Sequence, residues 1–146
     1  MSTIRKAEKR DVKNIVKRET QCFSTPETEE SIFSFIKNPT FSIDVVEEDG
    51  NVKGHCIYFF VPGNAEIISV AVSEEDRRHG YGRELVEHVI AEAKNKGLDK
   101  VFLEVRSSNV GAIALYTFVG FQQVGERKNL YEKPVEDGII MQYSIK

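Results

Sequence analysis

Apolar and polar positions change rhythm several times along the chain. Val12, Ile15 and Val16 recur at helical spacing behind Asp11, with Lys13, Asn14 and Lys17 left for solvent, which predicts a first amphipathic helix. After Cys22-Phe23 the run Ser-Thr-Pro-Glu-Thr-Glu-Glu combines capping residues, proline and acids, and Ile32, Phe33, Phe35 and Ile36 then supply a second, shorter apolar face. Residues 41–47 and 53–61 are rich in β-formers and flank Glu48-Asp49-Gly50-Asn51, so they predict a hairpin turning on the Asp-Gly step. Pro62-Gly63-Asn64 marks another turn before the buried-strand pattern of residues 66–72.

From here strands and helices alternate. Leu85, Val86, Val89, Ile90 and Ala93 trace one helical face that Gly97 is placed to end, and residues 101–106 return as strand. Strand, glycine loop, helix and strand in close succession make a βαβ unit with parallel strands. Asn109 then caps a helix marked by Ala112, Leu115, Tyr116 and Val119, and residues 121–126 and 139–144 complete the pattern as strands.

A length of 146 residues allows one domain with its own core, expected to span the whole chain. The net charge of −3 gives no electrostatic reason to expect direct nucleic-acid binding, so any anion must be captured locally. Cys22 and Cys56 lack metal-ligand spacing and read as free thiols of a reducing compartment. No apolar run approaches the roughly 20 residues of a membrane span, and the N-terminus has no apolar leader segment. A cytoplasmic protein without membrane association is expected.

The most informative string is Arg77-Arg78-His79-Gly80-Tyr81-Gly82-Arg83, set between a buried strand and an amphipathic helix. Backbone amides converging at a helix N-terminus bind phosphate; glycines let the anion approach and arginines add charge. A solvated basic turn with glycines as caps is the bland alternative. The string is not a Walker loop, which needs GxxxxGK[ST], and it fails the dinucleotide fingerprint GxGxxG at Leu85.

It does match [Q/R]-x-x-G-x-[G/A], through Arg77, Gly80 and Gly82, and there the chain resembles the GNAT acetyltransferase superfamily over nearly its whole length. Within it the likeness is to N-terminal acetyltransferases of the RimI type, carried by residues 103–109 (LEVRSSN), 112–116 (AIALY), 119–121 (VGF), Asn129-Leu130-Tyr131 and 136–141 (EDGIIM). The resemblance implies an α/β (α+β) fold: a mixed, mostly antiparallel sheet of about seven strands with a central splayed parallel pair, and four helices. It implies an acetyl-CoA site in that splay and no metal. Arg77, Arg78, His79, Gly80, Tyr81, Gly82 and Arg83 would form the pyrophosphate loop, and Val70 and Val72 would offer backbone groups to the acetyl oxygen and pantetheine arm. Asn109 would touch the pantetheine chain, beyond its role as a cap.

Attack on a thioester needs a neutral amine and a stabilised thiolate. About a tenth of α-amines are neutral at pH 7, against less than about a thousandth of lysine side chains, so an N-terminal acceptor asks less of a base. Strand alternation puts Val101, Leu103 and Val105 on one side and Phe102, Glu104 and Arg106 on the other, so an acid interrupts an apolar strand. By resemblance Glu104 is a proposed base acting through water; otherwise it is an acid facing Arg106 or solvent. Glu66 is a second base candidate, at the position of the histone-type catalytic glutamate, or else a strand-end acid. Tyr116 carries the family's proposed acid, with a packed core tyrosine as the alternative. Phe23, Glu27 and Tyr131 resemble positions lining the peptide groove. His55 and His88 belong to no constellation visible in the sequence. The expected acceptor is a protein N-terminal α-amine, with lysine, polyamine or small-amine transfer and a non-catalytic CoA-binding module as alternatives. An auxiliary subunit or ribosome association stays open.

Overall fold

A computed structural model describes all 146 residues. The order is β1 (Thr3–Lys6), α1 (Val12–Cys22), α2 (Glu29–Lys37), β2 (Phe41–Glu48), β3 (Asn51–Val61), β4 (Asn64–Val72), α3 (Tyr81–Asn95), β5 (Lys100–Arg106), α4 (Val110–Val119), β6 (Gln122–Glu132) and β7 (Val135–Ser144). One seven-stranded sheet runs β1-β2-β3-β4-β5-β7-β6, antiparallel everywhere except between β4 and β5.

Helices cover both faces. On one, Val12, Ile15 and Ile32 of α1 and α2 pack with Ile43, Val45 and Ile57. On the other, Leu85, Val86, Val89, Ile90 and Ala93 of α3 and Tyr116 of α4 enclose the larger core with Val101, Leu103 and Val105 of β5. The β5 alternation is as expected, with Glu104 on the outer side. The hairpin, its left-handed Asp49 and Gly50, and the Asn109 cap on the Ala112 amide all form where the sequence places them.

Three features were not readable from periodicity. β1 has only four residues. β6 and β7 run to 11 and 10 residues, longer than residues 121–126 and 139–144, because their outer ends are rich in polar residues and carry no apolar alternation. The third is the one that makes a site. The parallel ladder runs from Asn64↔Lys100 to Ile67↔Leu103 and stops, although both strands continue. At this point the β3–β4 register skips Ile68, a bulge that bends β4 and swaps its faces. Ala65 and Ile67 point into the larger core before it; Val70 and Val72 do so after it.

Candidate functional site

Beyond Ile67 the strands diverge, and β5 keeps its pairing only with β7. The Val72 carbonyl accepts from Arg77 Nε at 3.3 Å and Cys22 Sγ at 3.6 Å, whereas the next amide, Ser73, donates to Lys53 of β3. Val72 thus turns its polar groups into the gap, and Val70, two residues back on the same strand, does likewise. Such an edge suits a linear amide-bearing chain lying alongside it.

The glycine loop continues from this edge. Arg78 (φ 70°) and Gly80 (φ 82°) are both left-handed, curling the chain before α3 starts at Tyr81. The amides of Tyr81, Gly82 and Arg83 donate to no protein acceptor; the first helical bond is Glu84 to the Gly80 carbonyl. Three free donors at the positive end of a helix fit a pyrophosphate. Gly82 has a second reason to be glycine: a Cβ there would stand 3.3 Å from Leu115, so the residue also lets α3 approach α4. The loop's side chains divide. Arg78 and His79 are exposed, Arg83 lies over the Phe118 ring beside Glu87, and Arg77 folds back on Val72. Tyr81 has a buried ring and bonds Glu48 at 3.0 Å, so it offers the loop its amide alone, not its side chain.

Replacing Gly80 by Val is expected to weaken acetyl-CoA binding about tenfold, since a β-branched residue resists φ 82° at a cost of about 1–2 kcal/mol. Calorimetric titration with acetyl-CoA checks this; affinity equal to wild type contradicts the assignment of the loop.

Next to the splay lies a cavity of about 460 Å³. Val70, Glu104, Asn109, Tyr116, Phe23, Glu27 and Tyr131 all border it, so the structure unites two of the three catalytic candidates and the groove residues with part of the cofactor set. Glu66 is not among them. It borders a shallower recess of about 240 Å³ with Phe102, Arg127 and Ile140, which Glu104 also reaches. Glu104 is therefore common to both spaces. Its ion-pair partner is Arg127 of β6, at 3.1 Å, and not Arg106, which pairs with Glu136. Both Glu104 and Arg127 remain open to water. Tyr116 is buried against Phe121, and burial pushes its phenol well above the ordinary tyrosine range.

Two groups of site residues escaped the sequence reading. The first is a buried chain through α1. Arg18 Nη1 bonds His55 Nδ1 at 3.0 Å, and His55 Nε2 bonds Glu19 at 2.8 Å. A guanidinium only donates, so Nδ1 must accept and Nε2 must carry the proton given to Glu19. Glu19 borders the cavity and also takes bonds from Ser69 and from the Glu27 amide. His55, which no sequence constellation claimed, is thus the link in a fully buried relay. His88 likewise belongs to a cluster, with Asp44, Tyr58 and Lys6 under the sheet. A signal for the first group existed: continuing the Val12-Ile15-Val16 stripe by three or four residues lands on Arg18 and Glu19, charges at core positions. The second group centres on Arg106, for which the strand pattern gave no signal beyond its face.

Residues 10–121 match the Acetyltransferase (GNAT) family. A Bacillus subtilis (strain 168) relative, bearing the provisional designation [ribosomal protein bS18]-alanine N-acetyltransferase, is 32% identical over 145 residues, 99% of this chain and 96% of its own length. The [ribosomal protein bS18]-alanine N-acetyltransferase of Escherichia coli (strain K12) is 38% identical over 91 residues, 62% of this chain and 60% of its own. The crystal structure of the ribosomal-protein-S18-alanine N-acetyltransferase from Escherichia coli superposes with a TM-score of 0.91 at 32% identity, covering 100% of this chain and 95% of that one.

Proposed function

Since the chain belongs to the GNAT acetyltransferase family, in its RimI branch, and is an acetyl-CoA-dependent N-acetyltransferase, we propose that it acetylates the α-amine of a ribosomal protein bS18 N-terminus that begins with alanine. The observation carrying this reading is that Glu104, Tyr116 and Val70 on the free edge of β4 meet at one cavity. Ribosomal substrate implies work in the cytoplasm.

Acetyl-CoA supplies an activated thioester. The chain's part is to hold and orient it: loop amides 81–83 on the pyrophosphate, the Val70–Val72 edge on the pantetheine arm and acetyl oxygen, with Asn109 nearby. Glu104 Oε takes the proton of the incoming amine through a water, which its exposure admits. Its place in both cavities, against Glu66 in the shallower one alone, supports Glu104 over Glu66 as the base. Tyr116 stays protonated throughout the working range. A phenol raised by burial gives up its proton less readily than a free one, so its role shifts from outright acid to hydrogen-bond donor toward the developing thiolate. Tyr116→Phe keeps the ring packing and is expected to lower kcat about tenfold with acetyl-CoA affinity unchanged; an unaltered kcat removes this role.

Phe23, Glu27 and Tyr131 line the acceptor side, and Glu19 adds a buried negative charge that suits an arriving ammonium. The test is CoA-thiol release with a bS18 N-terminal peptide, the same peptide with a blocked N-terminus and an internal lysine, and spermidine. Turnover of the free peptide alone is expected; preferential turnover of the blocked peptide or spermidine overturns the assignment.

A further inference from the structure

Arg106 stands at the end of β5, on the same face as Glu104, and borders the acceptor cavity. Its guanidinium uses every η hydrogen. Nη1 donates to the Pro134 carbonyl at 2.9 Å and to Glu136 Oε1 at 3.2 Å. Nη2 donates to Ser24 Oγ at 2.9 Å and to the Lys133 carbonyl at 3.2 Å. The same plane lies over the Tyr131 ring, 4.4 Å from its centroid. Glu136 spends its second oxygen on the Ser108 amide at 2.6 Å and the Ser107 hydroxyl at 3.2 Å, ahead of α4.

These partners belong to opposite walls. Ser24 lies in the α1–α2 connection with Phe23 and Glu27; Tyr131, Lys133 and Pro134 belong to the β6–β7 hairpin. Ser24 to Arg106 is the one hydrogen bond that residues 23–27 make across the cavity; their other anchors, through the Phe23 and Glu27 amides, go back to Glu19 on α1. The distance between the walls is therefore set by one side chain. A lysine cannot replace it, having three donors and no plane to lay on Tyr131.

Building on the acceptor reading above, we propose that Arg106 is a positioning residue that fixes the width of the acceptor groove and so selects a small first residue on the substrate. Arg106 touches no reacting atom; it acts through Ser24 and Tyr131. Losing charge-assisted bonds of this kind loosens both walls and lets bulkier first residues in.

The experiment compares wild type, Arg106→Lys and Ser24→Ala on bS18-type peptides beginning with alanine or with leucine, alongside acetyl-CoA titrations and hydrogen exchange. Arg106→Lys is expected to raise KM for the alanine peptide about tenfold or more while kcat and acetyl-CoA Kd stay within about twofold. Preference for alanine over leucine narrows at least about fivefold, and Ser24→Ala, an exposed change, moves it the same way by less. Equal losses on both peptides with the preference intact, or a fall in kcat alone, overturn the proposal. If wild type acetylates neither peptide, the acceptor reading fails separately, and exchange decides the clamp: faster exchange at residues 23–28 and 131–136 in Arg106→Lys supports it, unchanged exchange refutes it.

Discussion

Glu104→Gln is expected to lower kcat about a hundredfold or more, leaving acetyl-CoA affinity and thermal stability near wild type. The amide has the same shape and still borders both cavities, yet it cannot take a proton from the amine through water. What the substitution breaks structurally is an ion pair with Arg127 whose side chains are 39% and 58% exposed, and open pairs contribute less than about 1 kcal/mol. A loss confined to kcat therefore reports on the base and not on the fold. Glu66→Gln is the matched control and should retain kcat within about twofold, because Glu66 lies off the main cavity. Stopped-flow or steady-state CoA release on the alanine peptide measures both. If the two effects are reversed, the base is Glu66.

The largest expected stability effect is at Glu19. Glu19→Ala removes the acceptor of His55 Nε2–H, the Ser69 hydroxyl and the Glu27 amide, and leaves these donors without a partner beside the buried Arg18. Breaking one side of a buried charged network costs about 3–5 kcal/mol, a fall in Tm of about 10 °C for a chain of this size. The same chain of groups sets the acid limb of stability. Burial holds His55 below the ordinary histidine range, so the folded state refuses a proton that the unfolded chain accepts near pH 6.5. Its contribution is full above that pH and declines as pH falls toward the folded value, by at most about 1.4 kcal/mol per unit. Burial alone would raise Glu19, but the His55 bond, with those from Glu27 and Ser69, outweighs it and holds the carboxyl below its usual range. Its contribution is present above the ordinary carboxylate pKa and is lost only as pH drops through the lower folded value. Urea melts between pH 5 and 8 should thus slope in wild type and flatten in His55→Gln; a flat wild-type profile contradicts a neutral buried His55.

The fold was legible wherever burial imposes a period. The α3 stripe, the β5 alternation and the Asp49-Gly50 turn follow from side-chain direction and backbone sterics alone. The shape of the glycine loop was legible too, since Gly80 and Gly82 mark a local conformation at a helix start. The acceptor wall was legible only in part, at Phe23, Glu27 and Tyr131. Residues such as Arg106 and Glu19 act through partners 82 and 50 positions away, Ser24 and Ser69, and no local period records such pairings. The splay of β4 from β5 depends on a one-residue bulge at Ile68, where β4 still reads as an unbroken strand. Tyr81 serves two ends at once: its ring completes the core while its amide stays free at the start of α3.

The most direct measurement is where the acetyl group goes. A bS18 N-terminal peptide starting with alanine and carrying an internal lysine, incubated with acetyl-CoA and the enzyme, is read by fragment-ion mass spectrometry. The mass increment is predicted on the alanine α-amine, dependent on Glu104, with the lysine unmodified. An increment on the lysine side chain, or one that Glu104→Gln forms as fast as wild type, contradicts the account.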